Sequence, residues 1–240
     1  RLSISSLVTS NDFFSIVRLF DIIIILLTNL LMKLEIKISQ KPVEYQDAIT
    51  FLERRVQKIQ NKESNNLLWI LEHPNLYSAG TSAKEKDLLN KDKFPIYRTN
   101  RGGQWTFHGE GQKIVYFAID LNQKKNLKEF VRCVEKLIIQ ILGYYKIKSS
   151  RDRKNIGIWV KNKNKIEKIA AIGIRVKRWI AFHGFSLNIN VNKNNYNGII
   201  PCGIRDKGVA NMTDFINLSC IDDIDETIIS NFRKTFLGMF

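Results

Sequence analysis

Three short segments of this 240-residue chain carry residue types that can do covalent chemistry. In Gly198-Ile199-Ile200-Pro201-Cys202-Gly203-Ile204, Cys202 lies between a proline and a glycine, in a turn rather than in an apolar stripe. A free cysteine so placed is either an inert packing residue or a nucleophile. A neighbouring ammonium favours the second, because it stabilises the thiolate and can lower a thiol pKa from ~8.5 to about 7 or below. Lys168, at the head of Lys168-Ile169-Ala170-Ala171-Ile172-Gly173-Ile174-Arg175, supplies that ammonium if the fold brings the two together. A thiolate with a proton donor and acceptor beside it suits acyl transfer. Ala171 and Gly173 share one strand face and are small, which either leaves room for an acyl chain or makes a tight sheet-packing face. The third segment, Arg101-Gly102-Gly103-Gln104-Trp105-Thr106-Phe107-His108-Gly109-Glu110-Gly111-Gln112, places four glycines around Arg101, Thr106 and His108. Glycines let backbone N–H groups approach a ligand, and they are equally at home in a turn-rich connection. Neither a Walker loop nor a dinucleotide-binding G-x-G-x-x-G occurs in the chain.

Hydrophobic periodicity supplies the elements that must hold these segments. Leu34 to Ile38 alternates as a first strand, Val43 to Ile59 has helical spacing, and Leu67 to Glu72 is a compact apolar run ending at His73-Pro74. Tyr77 to Thr81 reads as a loop. Ile114 to Ile119 is apolar on both parities, as a central strand covered on both faces would be. From 127 to 145, Leu127, Phe130, Val131, Val134, Leu137, Ile138 and Ile141 form one helical stripe, with Cys133 as a packing residue beside it. Strands follow at Ile156 to Val160, Lys168 to Val176 and Gly184 to Val191, with Lys161 to Lys165 as a solvated hairpin tip and a closing helix near Asp225 to Leu237. In the third of these strands Phe185, Leu187, Ile189 and Val191 make an apolar parity, while Ser186, Asn188 and Asn190 line a cleft or meet water. The fold class is α/β (α+β), one mixed-sheet domain.

Composition narrows the setting. Hydrophobic residues at 44% with only 4 prolines and 13 glycines exclude disordered and repeat classes. Cys133, Cys202 and Cys220 are odd in number and form no C-x-x-C pair, so a reducing, cytoplasmic setting is expected, without a disulfide framework or a metal site. Phe13 to Leu31 is apolar but interrupted, and its longest unbroken run, Ile22 to Leu27, is far shorter than the ~20 residues of a membrane span. Asp12 and Asp21 fit a signal or transit peptide poorly. The functional domain is expected to be 32–240, with 1–31 an apolar extension outside it. Charges in that extension balance, so the net +15 belongs to the segment from Met32 onward. Such a charge attracts nucleic acid, anionic lipid or an acidic carrier protein, and A/T-biased coding also accounts for many of the lysines.

At the three segments the sequence resembles the lipoyl(octanoyl) transferase family. Arg101 to Gln112 is similar to its R-G-G-x-x-T-[YF]-H-G-P-G-Q signature, Lys168 to Arg175 to K-I-A-A-I-G-[IV]-R, and His183-Gly184-Phe185-Ser186-Leu187-Asn188 to H-G-[FL]-[AS]-x-N, with Pro201-Cys202-Gly203 completing the set. Leu71 to Pro74 with Ala79-Gly80 resembles an earlier block, so the likeness spans roughly residues 34–240.

The resemblance implies the fold of lipoate/biotin protein ligase catalytic domains. It also implies a Cys202/Lys168 dyad that takes an octanoyl group from octanoyl-acyl carrier protein as a thioester. The group then passes to a lysine of lipoyl domains in 2-oxoacid dehydrogenase complexes and of the glycine cleavage H protein, with no cofactor, metal or ATP. Arg101, Gly102, Gly103, Gln104, Trp105, Thr106, Phe107 and His108, together with Ala171 to Gly173 and Gly184 to Ser186, would bind the acyl group, and their N–H groups would stabilise the oxyanion. Arg101 and His108 are expected as pocket builders rather than acid or base, and His73 and His183 as residues that fix loops. Two positions depart from the pattern: Glu110 replaces a proline, and Ala210, in Val209-Ala210-Asn211-Met212, replaces a hydroxyl residue. The rival readings are an ATP-dependent lipoate or biotin ligase, which has no use for Cys202, and a basic nucleic-acid binder resting on the charge and Arg175 to Trp179.

Overall fold

The computed structural model describes residues 33–152, 154–204 and 207–236, so the expected extension at 1–31 lies outside the described residues. Its framework is a twisted mixed sheet in the order β1 (Leu34–Ile38), β2 (Asn66–Leu71), β6 (Gln112–Asp120), β10 (Ile180–Asn188), β9 (Lys165–Lys177), β8 (Ile158–Asn162) and β7 (Ser149–Arg151). A two-residue strand, β11 (Gly208–Val209), runs parallel to β9 with Val209 opposite Lys168. The β1/β2 pair is parallel, and every junction from β2 to β7 is antiparallel.

Both parities of β2 and β6 are apolar because both faces are covered. On one face α1 (Tyr45–Gln60) packs Ala48, Leu52 and Val56 onto Leu67, Trp69, Tyr116, Ala118 and Phe182. On the other, α2 (Leu127–Tyr144) and α3 (Ile224–Phe236) pack Phe130, Val134, Ile138 and Phe232 onto Leu68, Ile70, Val115, Phe117 and Leu187. Asn126 caps α2 by accepting a bond from the Glu129 N–H at 3.0 Å. A bidentate Arg55–Glu35 pair at 2.7 and 2.9 Å ties α1 to β1.

A second, three-stranded sheet joins β3 (Leu76–Ala79) to β4 (Ile96–Arg98) on one side and to β5 (Trp105–His108) on the other. Here the structure corrects the sequence reading, which made loops of both Tyr77 to Thr81 and the whole glycine-rich segment. Further along, the hairpin tip is shorter than expected: β8 reaches Asn162 and β9 starts at Lys165, leaving a turn at Lys163-Asn164. The stripe of α2 is also narrower, since Leu127 is exposed and Val131 only half-buried. Among the described residues no helix is long and apolar enough to cross a membrane.

Candidate active site

The small sheet and the Cys202 turn cover the part of the large sheet that α1 leaves open. Between them lies a cleft of about 480 Å³ of open space. Ala171 and Gly173 on β9, and Gly184 and Ser186 on β10, form its floor, with Ile172 and Phe185 also lining it. Their smallness is needed for the sheet as well as the cavity, because a Cβ on Gly184 would stand 1.9 Å from the Val115 carbonyl oxygen. Arg101, Gly103, Gln104, Thr106 and His108 line the opposite side.

Gly102, Trp105 and Phe107, expected to bind substrate, do not line the cleft. Trp105 and Phe107 occupy the other parity of β5 and are buried in the core beneath the small sheet, where Trp105 Nε1 donates to the Lys84 carbonyl at 2.8 Å. Gly102 is a backbone link, its N–H donating to the Ile174 carbonyl at 3.3 Å and so drawing the glycine-rich loop over β9.

Cys202 sits at one end of the cleft, in a 3-10 turn over Pro201–Gly203. Its φ of 55° is left-handed, and Gly203 follows at 69°. That geometry costs a non-glycine residue of order 1–3 kcal/mol, and such strain clusters at functional sites. Bonds from the Ile200 N–H to the Asp87 carbonyl at 2.7 Å and from the Gly203 N–H to the Ile200 carbonyl at 3.0 Å hold the turn in place.

Lys168 reaches the same point from β9. Its ammonium nitrogen lies 3.0 Å from Cys202 Sγ and donates to the Ile156 carbonyl at 2.9 Å. Three features aim it. The β11 pairing fixes the strand, with the Ala210 N–H on the Lys168 carbonyl at 2.9 Å. A bulge in the β8/β9 register skips Ile169 beside it, the kind of irregularity that re-aims a side chain. Gly157 lets its stem pass, since a Cβ there would stand 3.1 Å from Lys168 Cε. The Trp159 ring centroid lies 4.7 Å from the ammonium. From the sequence Gly157 and Trp159 read only as strand residues, although a glycine within a strand pattern signals a close approach. Ile114 and Tyr116, likewise read only as strand residues, line the cleft.

Arg101 is a builder of the loop. Its guanidinium donates to the carbonyls of Ser78, Gly102 and Gln104 and to Ser78 Oγ at 2.8–3.0 Å. His108 Nδ1 bonds Gln112 Oε1 at 2.7 Å, and Gln112 continues to Asn188 and Tyr196 at 2.9 and 3.0 Å. His73 Nδ1 donates to the Val43 carbonyl at 2.6 Å, so its Nε2 accepts from the Tyr116 hydroxyl at 2.9 Å. Burial holds all three histidines neutral: His73 falls to about 4 and His183 to about 3, while His108 falls well below the usual range, with the His73 and Arg101 charges adding to the effect of burial. None of them is placed to serve as a base at Cys202.

The departures from the family pattern lie away from the dyad's reacting atoms. Glu110 is an exposed turn residue, and the Ala210 methyl is buried in the core while its carbonyl accepts from Asn188 Nδ2 at 3.1 Å.

The model of the family described as Lipoyl protein ligase A/B catalytic domain matches residues 44–233. A protein named Octanoyltransferase from Bartonella tribocorum is 46% identical over 215 residues, covering 84% of this chain and 86% of its own. The Octanoyltransferase of Rhodospirillum rubrum is 40% identical over 205 residues, covering 85% and 95%. In fold the chain is similar to Ta0514, a putative lipoate protein ligase from T. acidophilum with bound lipoic acid, at a TM-score of 0.69 and 15% identity over 85% of this chain and 86% of that one. The chain belongs to the lipoyl protein ligase A/B catalytic domain family.

Proposed function

We propose that this protein is an octanoyltransferase that works through an acyl-enzyme on Cys202, with octanoyl-acyl carrier protein as donor and lysines of lipoyl domains as acceptors. Octanoyl transfer is what the name of its relatives describes. The observation that carries the covalent route is the 3.0 Å approach of Lys168 Nζ to Cys202 Sγ beside a cleft lined by Ala171, Gly173 and Gly184.

In the first half-reaction the Cys202 thiolate attacks the thioester carbonyl, the bond from that carbon to the carrier sulfur breaks, and the departing thiolate takes a proton from Lys168. In the second, the acceptor ε-amine attacks the Cys202 thioester and gives a proton to the now neutral Lys168, and Cys202 leaves as thiolate. The first half-reaction leaves Cys202 acylated and Lys168 neutral, the second returns the thiolate and the ammonium, and thioester to amide runs downhill without ATP. Gln104, next to Gly203, and Thr106 line the space where the oxyanion would form. The catalytic unit on this reading is 32–240, working in the cytoplasm, and its excess of lysine steers acidic carriers and lipoyl domains toward the cleft.

Incubation with octanoyl-acyl carrier protein followed by intact-mass measurement tests the reading. One hydroxylamine-sensitive octanoyl adduct is expected on the wild type and none on Cys202→Ala. An adduct that persists without Cys202, or acyl transfer that requires ATP, contradicts it and favours a ligase.

A further inference from the structure

The three histidines of the chain lie close together, and two of them, His108 and His183, line the cleft. The rings of His73 and His108 lie 5.9 Å apart, His73 is 5.7 Å from Tyr116, and Tyr116 is 6.4 Å from His183. His183 is out of place by sheet alternation. Its neighbours on the odd parity of β10, Ala181, Phe185 and Leu187, belong to the core under α2 and α3. Yet its ring stacks on Phe182, centroids 4.7 Å apart, and lies against Tyr116, both on the opposite face, where His183 lines the cleft. A φ of 68° swings it across. The ring is 2% exposed and its Nδ1 has no hydrogen-bond partner, so the fold tolerates both backbone strain and an unsatisfied polar atom to keep it there.

Register shows what that position does. Ser186 pairs with Ala171 and Ile114 at the Cys202 end, and Gly184 with Gly173 and Tyr116 in the next row down. In the row beyond, Phe182 belongs to the α1 core and does not line the cleft. From Ser186 to His183 is about 10 Å of strand, the reach of a medium-length acyl chain.

We propose that His183 ends the acyl cleft and sets the length of chain it accepts. The proposal rests on the acyl-enzyme reading and adds a specificity residue to it. An octanoyl chain attached at Cys202 lies over Ala171 and Gly173 and meets the His183 ring with its terminal methyl. Glycine adopts a positive φ without strain, so His183→Gly opens the floor while easing the backbone.

Wild type, His183→Gly and His183→Asn, the last also tolerant of the left-handed region, are given octanoyl, decanoyl and dodecanoyl thioesters of acyl carrier protein, and initial rates of acyl-enzyme formation are read by intact mass. The wild type is expected to favour octanoyl. His183→Gly should raise the dodecanoyl-to-octanoyl rate ratio at least about tenfold, the scale on which methylene-sized changes in an apolar pocket discriminate, with His183→Asn intermediate. An unchanged ratio in variants whose thermal midpoints show them folded overturns the proposal and leaves the acyl-enzyme reading standing. Absence of any acyl-enzyme in the wild type sinks both.

Discussion

At one end of the cleft Cys202 takes a φ of 55°, and at the other His183 takes 68°. The same left-handed step serves opposite purposes. At the Cys202 end it occurs in a half-buried turn and presents a sulfur to an ammonium from another strand. At the deep end it occurs within a fully buried strand and carries a ring from the core face to the cleft face. The first end is polar and chemically competent. The second is kept neutral by burial, with His73 and His183 held at about 4 and about 3. Reaction and selection are thus separated along one groove, and each end can be disturbed by itself.

Disturbing the Cys202 end should have the largest effect. Cys202→Ala should abolish octanoyl transfer and the acyl-enzyme together while leaving the thermal midpoint within a few degrees of wild type. Loss of fold would assign the turn a structural role instead. Lys168→Ala should retain a detectable acyl-enzyme but form it about 10²–10⁴-fold more slowly, the usual range for a positioned acid–base group. A rate within twofold of wild type would remove Lys168 from the chemistry.

The deep end should reveal itself in pH-dependent stability. Unfolded His73 and His183 take up protons near pH 6.5, while their folded forms resist until about 4 and about 3. Both folded values are depressed, so the stability they contribute is present above pH 6.5 and is lost as pH falls. Urea midpoints measured from pH 7 to 4.5 should show a loss on the order of 2–3 kcal/mol per histidine. Since His108 is held neutral by burial as well, His183→Gly should flatten roughly a third of that slope, and a slope indifferent to the substitution would contradict the assignment. Glu110→Ala, at an exposed turn outside both ends, should shift stability by less than ~0.5 kcal/mol and leave the acylation rate within about twofold.

The two ends also differ in how far their sequences disclose them. The helices and central strands follow from periodicity, because β2 and β6 are apolar on both parities and α1 and α2 on one stripe. The small sheet was hidden: Leu76 opposite His108 is a pairing between segments far apart in the chain, and glycines at 80, 102 and 103 make its strands look like loops. Cys202 and Lys168 could be singled out by residue type and family motif, but not their 3.0 Å approach, which depends on the bulge at Ile169 and on Val209 lying against Lys168. His183 is named in the motif and expected to fix a loop, and its place in the cleft is not legible from the sequence, since strand alternation puts it on the core face and only a backbone dihedral reverses it. Trp105 and Phe107 show the converse, motif residues that serve the core beneath the site.

The central claim is that a thioester on Cys202 lies on the path to product. It is tested most directly by isolating the octanoyl-enzyme free of donor, mixing it without ATP with an unmodified lipoyl domain, and following both intact masses through a single turnover. The octanoyl mass should leave the enzyme and appear on the domain as a hydroxylamine-stable amide, at a rate no slower than steady-state turnover. An octanoyl-enzyme that keeps its adduct while the domain stays unmodified, or transfers only after ATP is added, would contradict the account.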